Sequence, residues 1–99
     1  MNLNSKQRKY LRSQAHHLTP IAFIGKNGFT KGSANSIEKV LAVHELIKLK
    51  FNDCKDEKYK ISQEVSDKLN CSIVGIIGNI TILYREQSDK KNRKYKLPE

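Results

Sequence analysis

The chain has 99 residues, enough for one hydrophobic core and too few for two, because halving it would leave units too small to hold a stable interior. Apolar residues make up 37% of it, no run approaches a membrane span, and the start Met1-Asn2-Leu3-Asn4-Ser5 has no apolar leader, so the expectation is a cytoplasmic protein without a membrane partner. Lysine and arginine outnumber acids by 19 to 10, and unevenly: residues 1–50 hold nine basic residues against Glu38 and Glu45, whereas the rest hold ten against eight. Positive charge polarised in this way predicts a polyanion partner, and nucleic acid before a membrane surface, since no helix pairs a broad apolar face with a basic one.

Ser5 is placed to cap a first helix running from Lys6 to about His17, with Leu11, Ala15 and Leu18 turned to a core. Arg8, Lys9, Arg12 and His16 then share its other side as a basic stripe, and no Asp or Glu occurs between Met1 and Gly32 to neutralise it. Leu18-Thr19-Pro20 ends the helix and leads into a strand, Ile21–Ile24. Gly25-Lys26-Asn27-Gly28 follows, then Phe29, and Thr30 as the cap of a second helix reaching about Val43. Two glycines spaced as GxxG let another backbone come close. Amides at the start of the next helix carry the positive end of its dipole. Flanked by Lys26 and Lys31, this corner suits a sugar–phosphate backbone. An isolated GxxG also fits a plain tight turn; its place between strand and helix in a basic chain favours the phosphate cradle.

Ala34, Ile37, Val40, Leu41 and the half-buried His44 are expected to form the inner side of the second helix. From Leu46 to Phe51 apolar residues alternate with Lys48 and Lys50, predicting a strand with one buried face and one basic, wet face. Those lysines either extend an RNA-facing surface or are simply solvated. Asn52–Lys58 is a polar entry, with Asp53 or Asp56 as cap, to a third helix that places Ile61, Val65 and Leu69 inward and ends at Asn70. Its exposed residues mix charges, so it is structural. Ser72–Ile77 and Ile80–Arg85 are strands joined by a tight turn at Gly78-Asn79. The order α-β-α-β-α-β-β predicts an α/β (α+β) single domain over residues 1–86: one four-stranded mixed sheet with helices packed on it. Residues 87–99 form a basic tail, with Lys90, Lys91, Arg93, Lys94 and Lys96, expected to be mobile and to order on a polyanion.

Catalysis finds little support. Cys71 begins a core strand, Cys54 sits in an acidic loop, and His16, His17 and His44 have no metal-ligand spacing. The GxxxxGK[ST] pattern that holds a nucleoside triphosphate is lacking, so neither a metal, a cofactor nor a small-molecule substrate is expected. For stacking on bases Tyr10 is the candidate beside the stripe, with packing as its other role.

The segments Leu11–Leu18, Ile24–Gly28, His44–Lys50 and Ile77-Gly78 through Leu83-Tyr84-Arg85 together resemble the YhbY family, stand-alone bacterial CRM (chloroplast RNA splicing and ribosome maturation) domains. The likeness covers nearly the whole chain in order. It implies an RNA-binding domain that associates with precursors of the large ribosomal subunit, contacts RNA through Gly25–Gly28 as a similar loop does in KH domains, and has a fold similar to the C-terminal domain of the third bacterial translation initiation factor. In plant relatives such domains recur in proteins that promote group II intron splicing. Phe29 stands where the family often has leucine, which is tolerable if the ring packs inward. Asn79 stands where the family's hairpin is often basic, which leaves the loop and first helix as the expected contacts. The expected RNA-binding set is thus Gly25, Lys26, Asn27, Gly28, Lys31, Arg8, Lys9 and Arg12, in a monomer whose partner is large-subunit ribosomal RNA in pre-ribosomal particles. The rival is a basic module bound to a ribosomal protein or another nucleic acid.

Overall fold

The alternation from Leu46 to Phe51 can bury one side only as a strand, and that strand lies at the centre of the fold. In the computed structural model, which describes residues 2–99, the elements are α1 (Ser5–Ala15), β1 (Ala22–Ile24), α2 (Lys31–Val43), β2 (Leu46–Phe51), α3 (Lys58–Leu69), β3 (Ser72–Ile77) and β4 (Ile80–Tyr84), with single 3-10 turns at Lys55–Glu57 and Lys90–Asn92. The strands form one mixed sheet in the order β1-β2-β4-β3. β1 runs parallel to β2, and the other two pairings are antiparallel. This is the expected element order and sheet.

Both faces of the sheet are covered, but unequally. On one face α2 and α3 bury the main core, in which Ile37, Leu41, Ile61 and Val65 meet Ile24, Leu49, Phe51 and Leu83. On the other, Leu11 and Ala15 of α1 pack with Leu3 over Leu46, Val74, Ile82 and Tyr84. The basic side of β2 is therefore not wet along its whole length, because Leu46 on that side lies beneath α1. The buried hydroxyls of Ser62 on α3 and Thr81 on β4 satisfy one another at 2.7 Å inside the main core.

Helix ends correct the sequence in places. The cap of α1 is Asn4, not Ser5: its side chain accepts the Gln7 N–H at 2.8 Å while the Gln7 side chain accepts the Asn4 N–H at 3.1 Å. Ser5 is already helical, and the helix stops at Ala15, short of His17. Thr30 caps α2 as expected, in the same reciprocal arrangement with Ser33. Neither Asp53 nor Asp56 caps α3. The Asp53 carboxylate accepts the Cys54 N–H at 2.7 Å instead, and Glu57 stands at the cap without a side-chain bond. Asn70 ends α3 in the left-handed conformation, at φ 52°.

His44, expected at the core edge, is exposed, and the buried residue is its neighbour Glu45, 1% accessible. Its carboxylate accepts the backbone N–H of Gln87 at 2.8 Å and that of Lys94. Past Gln87, where composition predicts a mobile tail, the chain is docked: Tyr95 and Leu97 pack on the α1-side core, and the Gln7 amide donates to Pro98 O at 3.0 Å. The apolar members Tyr95 and Leu97 are spaced among lysines, and the carboxylate that accepts from Gln87 and Lys94 lies more than forty residues away in sequence. Charge counting therefore misses both.

Candidate nucleic-acid interface

Where β1 ends, Ile24 O accepts two amides from the residues that follow β2, Asn52 N–H at 2.9 Å and Asp53 N–H at 3.3 Å. These bonds fix the base of the Gly25–Gly28 loop. The loop closes by Gly28 N–H donating to Gly25 O at 3.0 Å. Gly28 has φ +70°, a left-handed conformation that L side chains rarely adopt. A Cβ there would meet Cys54 Sγ at 3.8 Å and Ile61 Cδ1 at 4.0 Å, ordinary contacts, so conformation rather than crowding explains this glycine. Gly25 is different. A Cβ on it would meet nothing within 4 Å, and its φ is not left-handed.

Cys54 lies against the loop, its thiol 3.6 Å from Gly25 O and 3.7 Å from Lys26 O. Its own φ is +56°. The sequence offered no pointer to this support, which joins residues almost thirty positions apart. Lys26, Asn27 and Lys31 are exposed. Phe29 packs against the α2/α3 core, as inward packing in place of leucine requires. The Thr30 cap takes the Ser33 N–H, so the N–H groups of Lys31 and Gly32 are those of the first turn that the cap leaves.

Arg8, Lys9 and Arg12 are exposed on α1. The stem of Arg12 lies over Gly75 of β3, where a Cβ would come within 3.4 Å of Arg12 Cδ. Arg8 borders a hollow with Gln63, Ser66, Ser72 and Ile73. Both arginines thus stand at the β3 edge, whereas the glycine loop leaves β1, the opposite outer strand. At about 4.8 Å per strand these edges lie about 14 Å apart. The expected residues thus fall into two groups rather than one, separated by the width of the sheet.

The charge balance is likewise local. Glu38 forks onto Arg85, with contacts of 2.7 and 2.6 Å, and Arg85 also donates to Leu69 O at 3.1 Å. The guanidinium's hydrogen bonds hold the Glu38 carboxyl below the usual carboxylate range and raise the pKa of Arg85. With Glu45 buried against backbone amides, both acids of the first fifty residues are occupied within the fold. Near the loop, by contrast, Asp53, Asp56 and Glu57 bring three carboxylates into the Cys54 segment, so lysines alone do not make this corner strongly positive. Burial pushes the Cys71 thiol up to about 11, which keeps it protonated and unreactive at neutral pH. Among the described residues, no three His, Cys, Asp or Glu side chains group as a metal site.

Tyr10, the sequence candidate for stacking, is partly buried against the α1-side core. The aromatic exposed next to the loop is Phe23, 49% accessible. Ile21–Ile24 is apolar throughout, and nothing in that run distinguishes an inner strand from an outer one. As an outer strand it buries only Ala22 and Ile24.

The chain is similar in sequence and fold to known proteins. The CRS1 / YhbY (CRM) domain family matches the chain over residues 3–85. YqeI of Bacillus subtilis (strain 168), named a probable RNA-binding protein, is 36% identical over 97 residues, covering 97% of this chain and 99% of its own. A Haemophilus influenzae protein named RNA-binding protein is 37% identical over 90 residues, covering 90% and 91%. The solution structure of the hypothetical Staphylococcus aureus protein SAV1595, described there as a candidate RNA-binding protein, superposes with a TM-score of 0.80 at 34% identity, over 98% of this chain and all of that one.

Proposed function

The chain belongs to the CRS1 / YhbY (CRM) domain family, and from that premise we propose that it is a non-catalytic, monomeric RNA-binding protein of the cytoplasm that joins precursors of the large ribosomal subunit and aids their assembly. The observation that carries this reading is Gly25. Nothing in the protein's own conformation or packing requires a glycine there, whereas a phosphate backbone lying against the corner does. Lys26 and Lys31 add charge beside it. Arg8 and Arg12 each fork two hydrogen bonds onto phosphate, which a lysine cannot do, so they matter more than the lysines near the C-terminus. Contacts of this kind are blind to sequence, and folded ribosomal RNA is favoured over homopolymers through its shape.

Sedimentation of cell lysate on sucrose gradients tests the reading. Wild type is expected with particles slightly lighter than the mature large subunit. Gly25→Asp, which places a carboxylate against the phosphate, and the triple change Arg8/Lys9/Arg12→Glu are both expected at the top of the gradient although folded. Wild type at the top would remove the assembly role. Co-migration that survives nuclease digestion would replace RNA with a ribosomal protein as the partner.

A further inference from the structure

Four side chains form one row across the whole sheet. Phe23 on β1 is the register partner of Lys50 on β2, Lys50 of Ile80 on β4, and Ile80 of Ile77 on β3. Alternation places the row on the face away from α2 and α3, since Ile24, Leu49 and Phe51 beside it belong to the core under those helices. α1 covers this face only at its other end, over Leu46, Val74, Ile82 and Tyr84. The row is therefore open: Phe23 is 49% and Ile77 62% accessible, and Lys50 is exposed. One row inward, Lys48 pairs with Ile82 and Ile82 with Gly75, over which Arg12 lies.

This uncovered shelf joins one flat aromatic ring, Phe23, and the aliphatic Ile77 and half-buried Ile80 to cations, and none of the four strands contains an Asp or Glu. The complement is a molecule of flat apolar faces linked by negative charges, which is an unpaired nucleic acid strand. Phe23 precedes Gly25 by two residues, about 7 Å of extended chain, so a nucleotide whose phosphate rests on the loop brings a neighbouring base within reach of the ring. We propose that this open end of the sheet is a second RNA-contacting surface, on which Phe23 stacks with an unpaired base while Lys48 and Lys50 hold the adjoining phosphates. The inference rests on the RNA-binding reading above and deepens it: it supplies contact with a base, which the loop and α1 alone do not, and it joins the two groups of residues at opposite edges of the sheet.

The chain contains no tryptophan, so Phe23→Trp creates a single fluorescent reporter at the site. The probes are a single-stranded RNA oligomer and a blunt RNA duplex with the same number of phosphates, each labelled so that binding is also followed by gel migration. Expected are quenching of Trp emission by the single strand and not by the duplex, near wild-type affinity for Phe23→Trp, and a roughly 5- to 100-fold loss of single-strand affinity for Phe23→Ala with duplex affinity within about twofold. Thermal melting confirms that each variant is folded. Should Phe23→Ala bind the single strand as well as wild type, or the Trp emission stay constant while labelled RNA is bound, the stacking surface is overturned and the RNA-binding reading survives. Should wild type bind neither RNA, both fall together. Quenching by polyglutamate and not by RNA would overturn the proposal in favour of an acidic protein partner.

Discussion

Gly25 and Gly28 occupy equivalent places in the motif, yet the fold needs only one of them. At Gly28 the left-handed backbone makes any L side chain strained, by about 1–2 kcal/mol. Gly28→Ala should therefore lower the melting temperature by several degrees, given a shift of about 4–8 °C per kcal/mol for a domain of this size. Gly25→Ala has open space for its methyl, so its melting temperature should match wild type while its affinity for folded RNA falls. A matched loss of stability in both variants would show that Gly25 also serves the fold. The Glu38–Arg85 pair carries a separate expectation. The folded pKa of Glu38 is lowered, so the pair's stabilisation is complete above the ordinary carboxylate pKa and is lost as pH falls through the depressed folded value. Glu38 is partly exposed, which limits the effect to about 1 kcal/mol or less. Denaturant unfolding from pH 7 down to pH 3 should show the wild type's advantage over Glu38→Gln shrinking at the acid end, and a constant gap would refute the assignment.

At the scale of elements, local patterns were legible wherever both partners of an interaction lie close in sequence. Alternation gave the bounds of β2, Thr30 as a cap residue gave the start of α2, and Asn70 gave the end of α3. The start of α1 shifted by one residue because Asn4 and Ser5 are both good caps, and the reciprocal partner Gln7 lies three residues after Asn4. Long-range partners were not legible. Nothing local marks Glu45 as the acceptor for Gln87 and Lys94, or Cys54 as the support of the glycine loop. Removing the Glu45 carboxylate tests the first of these. Hydrogen bonds to an ionised group contribute about 1.5–3 kcal/mol, so Glu45→Ala should open the C-terminal segment at least tenfold more often. Trypsin should then cut after Lys90, Lys91 or Lys94 correspondingly faster while the sheet core stays intact. Unchanged cleavage would mean that Tyr95 and Leu97 suffice to hold the segment.

For the whole molecule, a net charge of +9 favours a polyanion partner, and the fold sets how the charge is spread. Glycine loop, open sheet and α1 arginines follow one another from the β1 edge to the β3 edge. A strand crossing them should neutralise about four to six phosphates, so log K should fall against log salt with a slope of about −3 to −5. Charge reversal at Arg8 and Arg12 should flatten that slope by about one to two, and an undiminished slope would place the RNA elsewhere. The fold class was legible because helix and strand periods alternate along the chain. The sharing of the site between two sheet edges was not, because strand order is a matter of topology, and an apolar run such as Ile21–Ile24 looks the same in an outer strand as in an inner one. The placement of the glycine loop also sets how firmly it is held. β1 has three residues and a single neighbouring strand, so its amides can exchange with solvent through small local openings that leave the β3–β4 hairpin closed. The proposed contact surface is thus built on the part of the sheet that yields most cheaply, and bound RNA would be read out as slowed exchange at Phe23 and Ile24 before any change in the core.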